Sequence, residues 1–475
     1  MSTFSGLNTA TTALFAAQRA MDVTGQNVAN VNTDGYSRQR VELQSVGANA
    51  VPATWSTSNG VGQGVNSDHI TRIRDSFLEG RAQNEHAATA SLTVQDSTLA
   101  QVEDAFREPT TTGLQSQLTS MWAGWGDVMN NPTDPGARSQ VLQRTSTLVA
   151  GLRTTSATLD QQWAQNRDSL QTLVRDVNGS AASIADLNTA IRRATQAGQP
   201  ANELVDKRDA LVLRLSDRIG ATATPMDDGT VTVAISGTTL VSGGSSLSLE
   251  LTGGTHPDDV ATDPPTIVTV PGGTAIRPGG TADGQLTALT STIPKYRAQL
   301  DGVARQLATQ LNAVHTAGYD LNGDAGGPMF GDGSGTLPVD VSTITAGNLT
   351  LLVTDGAKLA AAGVAPTAGG PSGDNVNADK LYQLRLAADG ADTTYRKMIV
   401  SLGVEAATAT NKLVTQSVIS TQVDSARESV SGVSIDEEMT NMLQFQHGYQ
   451  AAGRLITAID DMLDTLINKT GLVGR

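Results

Sequence analysis

An apolar heptad row at the C-terminal end dictates much of the fold that this chain can adopt. The row alternates steps of three and four residues, and its members are Met442, Phe445, Tyr449, Ala452, Ile456, Ile459, Leu463 and Leu466. Such spacing puts the side chains on one helix stripe, and a sustained stripe needs a partner helix. The pattern predicts a helix over about 435–469 that begins in a capping box of Ser434 and Glu437 and stops at Gly471.

A second, thinner heptad row lies near the N-terminus. Its members are Leu7, Ala10, Leu14, Ala17, Met21, Thr24 and Val28. Either row alone also fits an ordinary amphipathic helix on a globular core. Two rows at opposite chain ends favour pairing with each other or with other subunits. We therefore predict a helix-packing or subunit interface formed by Leu7, Leu14, Met21, Val28, Met442, Phe445, Tyr449, Ile456, Ile459, Leu463 and Leu466.

Proline and glycine divide the chain between these rows. Proline is absent from residues 1–51, 136–199 and 372–475, where long helices can therefore lie. The Gly- and Pro-rich window 221–284 contains period-two alternation, which predicts strands. A second Gly-rich window covers 318–375.

The predicted fold is mainly α with β inserts. It combines paired coiled-coil-like terminal helices, a helical bundle domain and a small inserted antiparallel β domain. The predicted domains are an axial segment 1–60 that pairs with 430–475, a helical domain made of 61–220, 285–317 and 376–429, a β insert at 221–284, and a Gly-rich β or irregular insert at 318–375.

Charge and composition exclude several classes of function. Acidic residues exceed basic ones by 15, so nucleic acid and anionic membrane surfaces are unsuitable partners. The chain has no cysteine, which excludes disulfides, Cys-ligated metal and thiol catalysis. No segment has 18 consecutive apolar residues, and the first residues lack the pattern of a secretory signal peptide.

Candidate catalytic and metal-binding residues all have simpler interpretations. His86 follows Glu85 on a predicted solvated helix, which is an ordinary arrangement. Asp320, Asn322 and Asp324 imitate the start of a calcium loop, but Ala325 and Gly331 occupy the positions that require Gly and Glu. We therefore predict no catalytic residue, no cofactor and no metal site.

A turn motif follows the first predicted helix. It reads Ala29-Asn-Val-Asn-Thr-Asp-Gly-Tyr36, and its Asn residues and Asp34-Gly35 favour left-handed backbone that ends a helix. The motif resembles the N-terminal signature of bacterial flagellar rod, hook and hook-associated proteins. The following Ser37-Arg38-Gln39 resembles the hook-associated branch. We add Asn30, Thr33, Gly35 and Tyr36 to the predicted interface.

Three more segments, in the same order along the chain, are similar to this family. They are Ile70–Leu78, His315–Gly323 with Met329-Phe330, and Ser431–Met439 at the entry to the last helix. The chain departs from the family pattern at 221–284 and 331–375. On these motifs it is identified as a member of the flagellar rod/hook axial protein family, nearest to the hook-associated proteins.

The resemblance implies a structural protein rather than an enzyme. Such a subunit is exported unfolded by the flagellar type III apparatus, without a signal peptide. It polymerises at the distal end of the hook and forms the hook–filament junction on which the filament assembles. The implied partners are copies of itself, the hook protein, the next hook-associated protein toward the filament and a flagellar export chaperone. The implied location is the extracellular flagellum.

Two alternatives stay open on the sequence. The first is another axial protein, of the hook or the distal rod, although Ser37-Arg38-Gln39 and the entry to the last helix argue against it. The second is an extracellular enzyme or adhesin carried on axial ends, with its chemistry in an insert. The acid pairs Asp227-Asp228 and Asp258-Asp259 leave room for that alternative.

Overall fold

The structure is a computed structural model that describes residues 3–47, 62–365 and 373–469; the predicted stop at Gly471 lies outside them. The α-helices, numbered in chain order, are α1 Thr3–Ala29, α2 Ser76–Phe106, α3 Leu114–Asn130, α4 Pro135–Gln196, α5 Asn202–Ile219, α6 Gly280–Thr287, α7 Ile293–His315, α8 Val376–Gln383, α9 Ala391–Ser431 and α10 Ile435–Asp464. The strands are β1 Gln39–Ser45, β2 Val65–Arg72, β3 Thr222–Pro225, β4 Val231–Ile235, β5 Thr238–Ser242, β6 Ser245–Ser246, β7 Ser248–Thr252, β8 Thr266–Val270, β9 Phe330–Gly331 and β10 Thr350–Leu351.

The chain divides into two compact units. The terminal unit comprises Met1–His86, Asn178–Leu247 and Val418–Arg475, and the central unit comprises Ala87–Val177 and Ser248–Ser417. Helices α2, α4 and α9 contribute residues to both units. The unit boundaries differ from the predicted domain boundaries: three of them fall inside the long helices α2, α4 and α9, and the fourth falls between β6 and β7.

The terminal unit pairs the two ends of the chain, as the heptad rows predicted. Helix α1 contacts α10 along its length, and it also contacts the antiparallel hairpin of β1 and β2. Ala20 and Val23 of α1 pack with Val41 of β1, while Ile70 of β2 and Phe445 of α10 cover this cluster. Helix α1 therefore has two buried faces, and its small residues let both neighbours approach.

A four-stranded antiparallel sheet belongs to the same unit. Its order is β3-β4-β5-β6, and Val231, Val233 and Ile235 of β4 alternate inward as predicted. Asn188 of α4 fixes this sheet to the helix: its amide donates to the carbonyls of Val231 and Gly243 and accepts from the Val231 N–H.

The central unit is a helical body with large buried side chains. Trp125 and Trp163 are fully buried, and so are five apolar residues spaced by three and four along α7. Those five are Tyr296, Leu300, Val303, Leu307 and Leu311. The Trp163 indole N–H donates to the Leu289 carbonyl at 2.9 Å, which satisfies a polar group inside the core.

Two short hairpins complete the central unit. Strand β7 pairs with β8, and β9 pairs with β10, both antiparallel. The predicted single β domain at 221–284 is thus two separate sheets, one in each unit. Alternation in the sequence reveals an inward strand face but not the helix that covers it. Arg167 anchors the β7–β8 hairpin through the carbonyls of Gly253 and Gly254, whereas Asn188 anchors the other sheet.

The predicted capping box at the start of α10 does not form. Ser434 is the N-cap residue, but its side chain makes no capping hydrogen bond. The Glu437 carboxylate instead accepts a 2.7 Å hydrogen bond from Arg38. The Arg38 guanidinium thus replaces the backbone N–H of Ser434 as the donor to Glu437, because a hydrogen bond between charged groups is stronger than one to a neutral amide.

Candidate assembly site at the paired chain ends

The turn motif forms a tight loop at the end of α1. The Asn30 side chain donates to the Gln26 carbonyl, and the Thr33 hydroxyl donates to the Asn30 amide oxygen. The Tyr36 N–H closes the loop on the Thr33 carbonyl at 3.2 Å. Gly35 has φ +78°, and an added Cβ would lie 3.4 Å from the Ala210 Cβ, so any other residue would be strained there.

Asn27 connects this loop to β1 and to α10. Its amide nitrogen donates to the Gln39 carbonyl at 2.9 Å and to Glu438 Oε2 at 3.0 Å. Its amide oxygen accepts from the Tyr36 hydroxyl at 2.8 Å and from the Gln39 N–H at 3.0 Å. Asn27 is 1% exposed, and these bonds use the donors and acceptors of its amide.

Arg38 joins the first and last parts of the chain. Its Nε donates to Glu438 Oε1 and its Nη1 to Glu437 Oε2, both at 2.7 Å. Its backbone N–H donates to the Ser431 carbonyl, so the β1 entry is also tied to the end of α9. The Glu438 side chain is 3% exposed, while that of Glu437 is 62% exposed. We call Asn27, Tyr36, Arg38, Glu437 and Glu438 the terminal cluster.

The Tyr36 phenol sits in an acidic surrounding. Burial raises the pKa of Tyr36 to about 12, and the carboxylates of Asp206 and Glu438 add to the shift. The hydroxyl therefore keeps its proton and stays a hydrogen-bond donor to Asn27 at any physiological pH.

A second group of charges fixes the β1–β2 hairpin to α5. The Arg72 guanidinium donates to Asp206 at 2.7 Å and to Asp209 at 3.0 Å. Arg74 donates to Asp209 at 3.0 Å and to the Ser37 hydroxyl at 2.7 Å, and that hydroxyl donates to Asp206 at 2.8 Å. We call these five residues the Arg–Asp cluster. This cluster gives Ser37, Arg72 at the end of β2 and Arg74 just after it a structural role.

His86 bridges two carboxylates on two other helices. Its Nδ1 lies 2.9 Å from Asp217 of α5, and its Nε2 lies 3.0 Å from Asp424 of α9. The hydrogen bond to Asp217 and the charge of Asp424 raise the pKa of His86 above 6.5, against the opposing effect of burial. Arg427 also approaches Asp424, at 3.5 Å, and competes for that carboxylate. The protonated ring can therefore connect α2, α5 and α9.

The stability of the terminal unit should depend on pH through His86. A raised folded-state pKa stabilises the fold below about pH 6.5, and the contribution disappears as the pH rises through the folded value. We expect His86→Gln to lower the urea midpoint at about pH 5.5 and to change it much less at about pH 8.5. Paired urea titrations of both proteins measure this difference. An equal loss at both pH values would contradict the prediction.

The structure brings some of the predicted interface residues together. Ile459 is buried and its Cδ1 lies near Gly6 of α1, while Phe445 covers the Ala20–Val23 cluster. Half-buried positions are Leu7, Leu14, Met21, Val28, Met442, Ile456 and Leu463. Tyr449 and Leu466 are exposed at 39% and 54%. Asn30, Thr33, Gly35 and Tyr36 form the loop and lie outside the helix seam. Their role in subunit contact stays a prediction.

Helix α10 also carries apolar side chains that are exposed in the part of the chain that the structure describes. Ile435, Met439 and Leu443 are spaced by four residues and are about half exposed. Leu455 and Met462, with Leu466 just beyond the end of α10, form a second exposed row on another side of the helix. Helix α10 thus has apolar surface beyond its seam with α1, and larger exposed apolar patches mark interaction surfaces.

Sequence reasoning missed the residues that hold the site together. Asn27, Glu438, Asp206 and Asp209 were not predicted as site residues, although each is a central hydrogen-bond partner. The sequence did contain one signal for the Arg–Asp cluster. Asp206 and Asp209 lie one turn apart on a predicted helix, and their charges are opposite to those of Arg72 and Arg74.

The calcium-like loop is a turn stabilised by its own backbone. Asp320 Oδ1 accepts from the N–H groups of Asn322 and Asp324 at 2.8 Å and 2.9 Å. Across the described ranges, no set of three or more His, Asp or Glu side chains is arranged to hold a metal ion. Within the same ranges, no helix is both long and apolar enough to cross a bilayer.

Comparison with known proteins identifies the family. The family model described as "Flagellar hook-associated protein FlgK helical domain" matches residues 99–330. Flagellar hook-associated protein 1 of Bacillus subtilis (strain 168) is 32% identical over 518 residues, and the alignment covers all of both chains. This chain belongs to the flagellar hook-associated protein 1 family. The resemblance predicted from the motifs is therefore confirmed.

Other matches extend over the same hook-associated protein 1 family. Flagellar hook-associated protein 1 of Escherichia coli (strain K12) is 25% identical, over 97% of this chain and 99% of that protein. The ends match two further models, "Flagella basal body rod protein" at 7–36 and "Flagellar basal body rod FlgEFG protein C-terminal" at 425–469. The flagellar hook junction protein FlgK from Burkholderia pseudomallei shares the fold, with a TM-score of 0.63, 18% identity and coverage of 74% of this chain and all of that one.

Membership settles the class of function. Hook-associated protein 1 is a structural protein of the flagellum and not an enzyme, as the sequence predicted. Membership also implies assembly with other flagellar axial proteins and a location in the flagellum. The predicted mainly α fold with small antiparallel sheets and long terminal helices is confirmed as well.

Proposed function

We propose that this protein polymerises at the distal end of the hook and forms the hook–filament junction on which the filament assembles. The observation that carries the proposal is the pairing of α1 and α10, which leaves Met439, Leu443 and Met462 exposed on the outer sides of α10. Neighbouring subunits would cover these side chains. The full-length match to proteins named flagellar hook-associated protein 1 supports the position at the junction.

The partners that follow are copies of the same chain, the flagellar hook protein and the next hook-associated protein toward the filament. We also propose export by the flagellar type III apparatus with the help of an export chaperone. The final location is then extracellular. The exposed apolar rows of α10 support the need for a chaperone, because such surface promotes association before assembly.

A gene deletion tests the proposed function. Cells without the gene should build hooks but no filaments, and flagellin should accumulate in the medium. A plasmid copy of the intact gene should restore filaments. Electron microscopy and immunoblotting of the medium measure both results. Loss of the hook itself would favour the alternative role in the rod or hook, and normal filaments would contradict the proposal.

A further inference from the structure

Helix α9 carries an apolar row on its solvent side. Val400, Val404 and Val414 are exposed at 66%, 62% and 59%, and Ala407 and Asn411 are also exposed. These five residues follow one another at steps of four, three, four and three, which places them on a single stripe. We call this stripe the outer face of α9; all five residues belong to the central unit.

The opposite side of the same helix is already packed. Met398, Leu402 and Ala409 are buried with exposures of 3%, 2% and 7%. Helix α9 is therefore apolar on two opposite sides in this stretch. A helix on the surface of a finished protein shows charged residues to water, whereas a helix that is apolar all round is buried. The apolar character of the outer face therefore indicates that another protein surface packs on it.

Charge is nearly absent from this stretch of α9. Between Met398 and Ser417 the charged residues are Glu405 and Lys412. Glu405 points to its own unit, where Lys295 and Tyr296 bind it. The residues of α9 that flank the outer face are exposed but small and uncharged: Ser401, Gly403, Thr408, Thr410, Thr415 and Ser417. The carboxylate of Asp96 on α2 reaches this flank, where it accepts from the Thr410 hydroxyl.

This neutrality indicates what covers the face. The chain has a net charge of −15, so two copies repel each other, and a contact surface without charge adds nothing to that repulsion. A cationic partner would instead be matched by Asp or Glu on the contact surface. We propose that the outer face of α9 packs against a second copy of this chain in the flagellar assembly. This inference rests on the proposed function, because it needs a polymer of the protein.

The size of the face fits a contact that forms only within such a polymer. Val400 to Val414 spans about 21 Å of helix, and a strip about 10 Å wide covers roughly 200 Å² per copy. Stable interfaces between free proteins bury about 1,000 Å² or more. The outer face therefore leaves the free subunit monomeric and adds affinity where other contacts already hold two copies close together.

Photo-crosslinking tests this inference in assembled flagella. The Val404 codon is replaced in the full-length gene so that photoreactive p-benzoyl-phenylalanine is inserted, and the gene is expressed in the deletion strain. Irradiation of isolated flagella should give a product of roughly twice the subunit mass that contains this chain alone. The same group at Lys412, which lies on α9 away from the outer face, should give at least about tenfold less product.

Other outcomes separate this inference from the proposed function. A crosslink from position 404 to a different protein, or no crosslink in flagella that do assemble, would overturn the inference while the deletion phenotype still stands. If the photoreactive group blocks assembly, Val404→Asp and Lys412→Asp decide the point. We expect Val404→Asp to keep the monomer melting temperature and to reduce filaments roughly tenfold, and Lys412→Asp to assemble normally. Equal assembly of both variants would refute the inference.

Discussion

Replacing Glu438 with alanine should lower the free energy of unfolding of the terminal unit by about 3 kcal/mol, because it removes a buried carboxylate that pairs with Arg38 and accepts from the buried Asn27 amide. Glu438 accepts from Arg38 Nε and from the Asn27 amide, and its side chain is 3% exposed. Without it, the Asn27 amide and the Arg38 Nε each lose an acceptor, while Arg38 keeps its ion pair with the exposed Glu437. Urea unfolding followed by circular dichroism measures the loss.

The neighbouring residue is a matched control. Glu437 binds the same guanidinium at the same 2.7 Å distance, but its side chain is 62% exposed. Solvent-exposed ion pairs contribute about 1 kcal/mol or less, so Glu437→Ala should change the unfolding free energy little. If the two variants lost equal stability, burial of Glu438 would not be the reason for its effect.

Replacing Leu443 with aspartate should abolish assembly while leaving the subunit folded. Leu443 is 54% exposed, so the change removes little packing within the chain and should alter stability by about 0.5 kcal/mol or less. In the proposed polymer the same position is covered by a neighbour, where an unpaired charge is costly. Motility and the number of filaments per cell measure assembly, and a thermal melt of the purified subunit measures stability.

A nearby polar residue separates the two effects. Gln444 is exposed on α10 and lies outside the Ile435–Met439–Leu443 row. Gln444→Asp adds the same charge one residue away and should leave filaments in place. A large drop in the melting temperature of the Leu443→Asp subunit would mean that this side chain supports the fold, and the proposed contact would lose its support.

The sequence predicted the terminal helices well because heptad spacing is a periodic signal that survives over many turns. Ile459 and Ala452 of the predicted row are indeed buried. The second buried face of α1, which includes Ala16, Ala20 and Val23, was not predicted. Alanine is common on every side of this helix, so its pattern does not distinguish one packed face from two.

The hydrogen-bond partners were harder to predict than the helices. Asn27 and the turn motif lie within ten consecutive residues, so their role in ending α1 could be predicted from the sequence. The partner of Asn27 in α10 is 411 residues away, and nothing in the composition of either segment points to the other. The split of the 221–284 region into two sheets was missed for the same reason. Each sheet is fixed by a side chain of α4, which is distant in sequence: Asn188 for β3–β6 and Arg167 for β7–β8.

Because Asn27 and Glu438 are 411 residues apart, the hydrogen bonds around the N-terminal motif are complete only in a subunit that includes its last helix. Asn27 and Arg38, on either side of the loop at Asn30–Tyr36, lie near the start of the chain, yet Glu438 accepts a hydrogen bond from each, and Ser431 supplies the carbonyl that receives the Arg38 N–H. Contacts this far apart in sequence form late, because the whole intervening chain must be present first. A subunit truncated before Ser431 would keep its N-terminal motif but lack the acceptors of Asn27 Nδ2 and of the Arg38 guanidinium and N–H. Loss of the C-terminal residues would thus leave polar groups without their partners at the N-terminal end of the chain.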